Sequence, residues 1–368
     1  MLLSFLAVLA SSCVRADPID TFANVTVYDP GTASADVNYA RTLNLPNNTV
    51  LATWSDFNEA NATIPIYRST NNGFSWYPLG IATSDDPGRR LLQPHLIYVN
   101  ETFGEYDTGA VLLAVNAVDS KSTNIEIYAS GDNGESWAFV SRVASGGPAN
   151  TTNGATPVWE PFLLYHDHKV TVYYSDQRDA QHGQKLSHQT TQDDFDSWGS
   201  AIDDAAFQTY TDRPGMPTVA KLPNGQFIIT FEYAQLLKNS SSNYTYPVYY
   251  KLATSPENFA SEPAHKLVVD SGAKPNAGPY VTWTSYGGVN GTIVVSDSDS
   301  NPVYINQALG QGTWKELKTT AGRAYSREVQ VPDNDNTKLR FAGGAEFEQE
   351  TPSQILVTIM DLAKALGG

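Results

Sequence analysis

The sequence predicts an all-β chain, a six-bladed β-propeller of four-stranded antiparallel blades. Three observations carry this: a turn octet that recurs, a two-strand unit that recurs six times, and a strand-like segment near each end with no local partner. The octet Ser130-Gly131-Asp132-Asn133-Gly134-Glu135-Ser136-Trp137 has a near copy, Ser69-Thr70-Asn71-Asn72-Gly73-Phe74-Ser75-Trp76, 61 residues earlier. In each, Ser and Asp or Asn bond the local backbone, Gly takes the positive φ that a Cβ disfavours, and Trp covers the core between blades. Both therefore read as hairpins. A third, eroded copy, Thr191-Gln192-Asp193-Asp194-Phe195-Asp196-Ser197-Trp198, keeps the spacing but has Phe195 where Gly is expected.

The recurring unit is a strand, a turn and a second strand rich in β-branched or aromatic residues. The six run from Tyr39 to Ser55 with turn Pro46-Asn47-Asn48, Leu92 to Asn116 with a longer turn near Gly104, and Val158 to Asp176 with turn His166-Asp167-His168. The others run from Pro214 to Tyr233 with turn Pro223-Asn224-Gly225, Pro279 to Asp297 with turn Gly287 to Gly291, and Arg327 to Gly343 with turn Pro332 to Asn336. Their spacing, mostly about 55 to 65 residues and shorter for the last, leaves room for four short strands per unit. The early strand Asn24 to Tyr28 and the late strand Ile355 to Met360 then complete one blade from both chain ends, which removes exposed edges. Helical periodicity is confined to Met360 to Leu366, a short terminal helix at most.

Composition narrows the function. Leu2 to Leu9, followed by small residues and Val14-Arg15-Ala16, has the pattern of a secretory leader, with cleavage expected after Ala16 and residues 17–368 forming one propeller domain. Eight N-x-[ST] sequons, at Asn24, Asn47, Asn61, Asn100, Asn150, Asn239, Asn243 and Asn290, suit a secreted, extracellular glycoprotein. The single cysteine, Cys13, lies inside the leader, so neither a disulfide nor a thiol nucleophile is expected in the mature chain. A formal net charge of −16 repels nucleic acid and anionic membranes and favours a neutral ligand. No metal or other cofactor is expected: His166-Asp167-His168 looks metal-like but occupies a turn position equivalent to Pro223-Asn224-Gly225.

Two carboxylates stand out among apolar neighbours. Glu160 lies in Thr156-Pro157-Val158-Trp159-Glu160-Pro161-Phe162, at the start of the third unit, and Glu232 lies in Ile228-Ile229-Thr230-Phe231-Glu232-Tyr233, at the end of the second strand of the fourth. Loss of hydration there raises a carboxyl pKa and makes an acid or a poorly solvated nucleophile; a partnered structural carboxylate is the alternative at each position.

The octet pattern S-x-D-x-G-x-x-W resembles the Asp-box of sialidase-like propellers. Together with Trp159-Glu160-Pro161, the run Tyr174-Ser175-Asp176-Gln177-Arg178-Asp179, the segment His182-Gly183-Gln184-Lys185, and Phe231-Glu232-Tyr233, it makes nearly the whole mature chain similar to the fungal exo-arabinanases of glycoside hydrolase family 93. The resemblance implies a six-bladed propeller and retaining hydrolysis of linear α-1,5-L-arabinan, releasing arabinobiose from the non-reducing end. It also implies that Glu160 and Glu232 are the catalytic pair, their separate roles open. Two carboxyls roughly 5 to 5.5 Å apart are what that chemistry needs. A monomer acting on arabinan or arabino-oligosaccharides is expected.

Supporting residues carry less weight. Asp176 and Arg178 are placed to reach sugar hydroxyls or tune Glu160, with a surface ion pair as the alternative. Tyr325, in Ala324-Tyr325-Ser326-Arg327, resembles the active-site tyrosine of sialidase-like folds and is placed to bond the nucleophile or to pack between blades. Arg41 is a candidate for the channel wall, and Trp54 or Trp159 for stacking on a sugar ring. Two rival functions remain open. A sialidase or other exo-glycosidase would use Arg41, Arg213 and Arg327 around a carboxylate, although the Arg-x-Pro signature is replaced by Arg41-Thr42-Leu43. A carbohydrate-binding propeller without turnover would need no acid or nucleophile.

Overall fold

The computed structural model describes residues 20–31, 36–57, 62–192, 195–344 and 353–367; the leader, Asn61 and Asp193-Asp194 lie outside them. The first strand, β1 (Asp20–Tyr28), joins a blade that the chain does not finish until its other end. Blade one is β2 (Val37–Leu45), β3 (Thr49–Asp56), β4 (Ile64–Ser69) and β5 (Tyr77–Ala82), and blade two is β6 (Arg90–Val99), β7 (Ala110–Val118), β8 (Thr123–Ser130) and β9 (Ala138–Gly146). Blade three is β10 (Val158–His166), β11 (Lys169–Asp176), β12 (Lys185–Thr191) and β13 (Ile202–Ala205). Blade four has five strands, β14 (Arg213–Lys221), β15 (Phe227–Leu236), the short β16 (Tyr244–Thr245), β17 (Val248–Ala253) and β18 (His265–Lys266). Blade five is β19 (Tyr280–Thr284), β20 (Thr292–Ser296), β21 (Val303–Asn306) and β22 (Lys315–Leu317).

Blade six, in the order β1, β25 (Ile355–Asp361), β24 (Lys338–Gly343) and β23 (Glu328–Gln330), is built from both chain ends as the sequence implies. A single turn of helix, α1 (Leu362–Ala365), follows, capped by Asp361, whose carboxylate accepts the Lys364 N–H at 3.0 Å. Among the described residues no helix is long and apolar enough to cross a membrane. All six units read from the sequence are the first and second strands of their blades.

The turn octets fold as their residues require. Ser130 Oγ accepts the Gly134 N–H at 2.8 Å, Asp132 Oδ1 accepts the Ser136 N–H at 2.9 Å, and the Trp137 indole donates to Gly134 O at 3.1 Å. Ser69, Asn71 and Trp76 repeat these bonds at 2.8, 2.9 and 2.9 Å. Each turn joins the third and fourth strands of its blade, far out from the axis. In blade five Asn306 does the work of the serine, its Oδ1 accepting from Ala308 N at 2.8 Å and Gly310 N at 2.9 Å as Ser130 Oγ accepts from Asp132 N and Gly134 N. The backbone there repeats the positive φ pair, 55° at Leu309 and 81° at Gly310 against 60° at Asn133 and 94° at Gly134. Phe195, the residue in the glycine position of the eroded copy, also takes φ 68° and buries its ring beside Phe103 and Trp198.

Between blades, apolar faces of neighbouring sheets form the cores. Leu113 and Val115 of blade two pack with Leu51 and Ile66 of blade one, and Val172 and Tyr174 of blade three pack with Ile125 and Ile127 of blade two. Each fully buried aliphatic side chain contributes about 1.5–3 kcal/mol. Trp54, expected as a sugar platform, belongs to this core instead: it is 1% exposed, stacked on Tyr28 at 4.9 Å. Tyr67 of the same blade lies 5.0 Å from it, and Tyr28, from β1, adds its cover only on ring closure.

Candidate active site

The inner strands β2, β6, β10, β14, β19 and β23 contact one another in a closed ring around the axis. Four of them carry the same irregularity near their starts. The pairing with the second strand slips between Asn38 and Arg41, Leu92 and His95, Trp159 and Phe162, and Gly215 and Thr218. Within each slip one residue has positive φ: Tyr39 at 55°, Gln93 at 52°, Glu160 at 61° and Met216 at 56°. Such a bulge removes a backbone N–H from the ladder, and a buried N–H needs another acceptor. A side chain supplies it: Ser55 Oγ for Gln93 at 2.7 Å, Gln93 Oε1 for Glu160 at 3.0 Å, and Glu160 Oε2 for Met216 at 2.9 Å. The Gly278 N–H, just before β19, goes to Glu232 Oε2 at 2.7 Å.

Both glutamates are therefore held by donors of the next blade. Glu160 also accepts from Ser175 Oγ at 2.7 Å, and Glu232 from the Tyr325 hydroxyl at 3.5 Å. A Cβ placed on Gly215 would stand 3.3 Å from Glu232 Oε1 and 3.4 Å from Glu160 Oε2, so the two oxygens can be no further apart than those lengths laid end to end. Glu232 is 7% exposed, while Glu160, Trp159, Arg213 and Tyr325 are partly exposed, which leaves the pair reachable from one face.

Burial pushes the Glu232 carboxyl up, and the neighbouring charge of Glu160 pushes it further; the Gly278 N–H, the Tyr325 hydroxyl and Arg213 pull it back. Burial also raises Glu160, against the Ser175 hydroxyl, the Met216 N–H and Arg213. Two carboxyls this close disfavour carrying two charges at once, so burial and mutual repulsion both work to keep a proton on the pair. Tyr325, raised by burial and by Glu232, keeps its proton and stays a donor. One proton and one negative charge side by side suit acid catalysis and nucleophilic attack on the same bond.

The structure brings Glu160, Glu232, Trp159 and Tyr325 together. The cation acting on both carboxyls is Arg213, which the sequence reading weighed only as one of three arginines near unit starts. Its guanidinium donates to Asn153 Oδ1, Gln177 Oε1 and Gln184 Oε1, each at 2.8 Å, and the Trp159 indole donates to the same Gln177 oxygen at 2.9 Å. Neutral amides from two loops, β9–β10 and β11–β12, thus fix both the cation and the indole. Its position two residues before Gly215 was the available signal.

Asp176 and Arg178 sit elsewhere. They close on each other through two bonds of 2.9 and 2.7 Å, and Arg178 reaches back to Tyr174 and to Ser145 O of blade two. The charge felt by Glu160 comes from Arg213 and not from this pair. Arg41 is 5% exposed, lies over the Tyr280 ring at 5.1 Å, and spends its donors on Ala40 and Ser326, binding blade one to the start of blade six. Arg327 is similarly committed to the carbonyls of Asn301, Pro302, Ala321 and Gly322. Arg41, Arg213 and Arg327 thus each bond protein oxygens, unlike a triad converging on a substrate carboxylate. The His166-Asp167-His168 triplet forms a tight turn with His166 bonded to Thr171 Oγ1 at 3.0 Å.

The opposite end of the channel opens as a cavity of about 530 Å³ lined by the later residues of the inner strands, Leu164, Tyr165 and Trp283 among them. His95, Phe162 and Tyr280 separate it from the carboxyls, with His95 Nε2 and the Tyr280 hydroxyl 3.2 Å apart.

No protein-family model matches the chain, and no curated protein does. Among solved structures, the chain is 40% identical to the α-L-arabinanase of Penicillium chrysogenum complexed with arabinobiose, with a TM-score of 0.87, covering 93% of this chain and 99% of that one. It is 39% identical to the α-L-arabinofuranosidase of Fusarium graminearum bound to an iminosugar inhibitor, with a TM-score of 0.90 over 94% of this chain and 99% of that one. The same Fusarium enzyme, described as a family 93 glycoside hydrolase, has been solved with arabinobiose and matches at 39% identity and TM-score 0.89 over 93% and 98%. A sialidase from Streptococcus pneumoniae, at 9% identity and TM-score 0.63 over 92% of this chain and 70% of that one, shares the fold alone. With relatives this similar matched over almost their full length, and with a close glutamate pair at the inner strands of the same propeller, the chain belongs to glycoside hydrolase family 93.

Proposed function

We propose that this protein is a secreted retaining hydrolase that attacks linear α-1,5-L-arabinan from its non-reducing end and releases arabinobiose. One observation carries the chemistry: Glu160 and Glu232 reach within 3.4 Å of a single point beside Gly215. A retaining pair stands roughly 5–5.5 Å apart and an inverting pair roughly 6.5–9.5 Å, so the ceiling set by Gly215 admits the retaining geometry and only the bottom of the inverting range. In that scheme one carboxylate attacks the anomeric carbon while the other carboxyl gives its proton to the departing oxygen. Water, deprotonated by that same second group, then opens the glycosyl ester and restores both. Tyr325 and Arg213 stabilise charge on the pair as the proton moves.

The substrate reading draws on the arabinobiose bound by the Penicillium and Fusarium relatives. The secretion reading draws on the leader pattern and on the sequons: of the seven within the described residues, six asparagines are exposed and Asn290 is partly so. Product analysis on linear arabinan tests the function, with disaccharide as the sole early product expected and a ladder of lengths refuting end-on attack. Glu160→Gln and Glu232→Gln should each cost about 10³-fold or more in kcat while arabinobiose binding persists, measured by calorimetry. Hydrolysis that survives either substitution nearly intact would refute the site.

A further inference from the structure

Blade four carries a ribbon that no other blade has among the described residues. Its second strand, β15, runs on past Glu232 to Leu236, and the extension pairs with β16, Gln235 opposite Thr245 and Leu236 opposite Tyr244. The ribbon therefore rises from the strand that holds a catalytic carboxyl, on the face where the pair opens. Its return leg is tied to the site twice. Tyr246 O accepts the Ala277 N–H at 2.9 Å, one residue before the Gly278 N–H that holds Glu232. The Tyr244 hydroxyl accepts from Asn153 Nδ2 at 3.3 Å, and the same amide's oxygen receives Arg213.

These ties leave aromatic surface in water. Tyr246 is 36% exposed, and Tyr244 lies 6.4 Å from it between ring centres. Tyr210, on the loop before β14, is 41% exposed and lies beside Gly154, the residue after Asn153. A tyrosine face is apolar and flat with a polar tip, which matches the C–H face of a sugar ring and its hydroxyl edge. The flank formed by Tyr39 is closed, that residue being 5% exposed. A polysaccharide inserted by its end must leave across the open side, and the tyrosines stand there.

We propose that Tyr210, Tyr244 and Tyr246 form a stacking platform for the arabinose residues on the leaving-group side of the cleaved linkage. This rests on the hydrolase reading above and deepens it: the platform sets preference for long chains over short ones. The test compares kcat/KM on linear arabinan with kcat/KM on α-1,5-arabinotriose, which reaches only one residue past the linkage. Tyr246→Ala and Tyr210→Ala should each lower the ratio of the two by about tenfold, chiefly through KM on the polymer, and Tyr246→Phe should restore it. A ratio that stays constant overturns the proposal, whether both substrates are unaffected or both suffer equally. Wild-type protein inert on both substrates would instead remove the functional reading itself, and this is seen before any substitution is made.

Discussion

Gly215 sets the spacing of the carboxyl pair. It is buried at ordinary backbone angles, so its lack of a side chain matters for space alone. A methyl there would press on Gln184 Nε2 at 3.0 Å as well as on both carboxyl oxygens. Gly215→Ala should therefore fold, keep its melting temperature within a few degrees, and lose about 10- to 100-fold in kcat/KM, because small displacements of reacting groups are costly. Glu232 predicts a second, pH-dependent effect. Its folded pKa lies above the ordinary 4.5, so the stability of its neutral form is complete below that value and is lost as pH rises through the folded pKa. Glu232→Gln, neutral at every pH, should melt later than wild type at pH 7.5 by on the order of 1–2 kcal/mol and match it at pH 4. Equal melting at both pH values would show that the carboxyl carries no such cost.

At the scale of elements, the turns explain how much of the fold could be read in advance. Ser130, Asp132, Gly134 and Trp137 each satisfy a local requirement, so their order in the chain is enough to announce a hairpin. The blade-five turn has the same backbone but was invisible, because asparagine replaces the serine, Ala308 stands where Asp is expected and Leu309 holds a position with positive φ. Two glycines separate conformational cost from crowding. At Gly225, φ is 84° with open space around a Cβ, whereas at Gly134 φ is 94° and a Cβ would meet Leu51 at 3.0 Å and Ile66 at 3.3 Å. Gly225→Ala should cost about 1 kcal/mol and Gly134→Ala about 2–4 kcal/mol in chemical denaturation. The candidate site was half legible for a related reason. Glu160 and Glu232 announce themselves as carboxylates in apolar strands, but the amides that fix Arg213 come from Asn153, Gln177 and Gln184, ordinary polar residues whose convergence depends on two loops.

For the whole molecule, closure is the decisive contact. β25 lies between β24 and β1, so residues 20–28 and 355–361 exchange their hydrogen bonds across the full length of the chain. At the same seam Arg340 and Thr42 bond to each other, Thr42 donates to Glu328, and Arg41 reaches Ser326. Ending the chain at Gly344 should leave β1 without a partner and β24 with an open edge, and the expected result is loss of the cooperative thermal transition seen by calorimetry. The seam also explains the misplaced Trp54: one of its covering rings, Tyr28, is near in sequence yet arrives only with the strand that β25 recruits.

The left-handed residue repeated in four inner strands has a further meaning for how chemistry arises on this ring. Tyr39, Gln93, Glu160 and Met216 occupy one backbone mould, so the scaffold is indifferent to what is plugged into each axial socket. One of the four plugs, Glu160, is a reacting group, and its partner Glu232 reaches in from the second strand of the next blade, so the casing can hold chemistry without being remade for it.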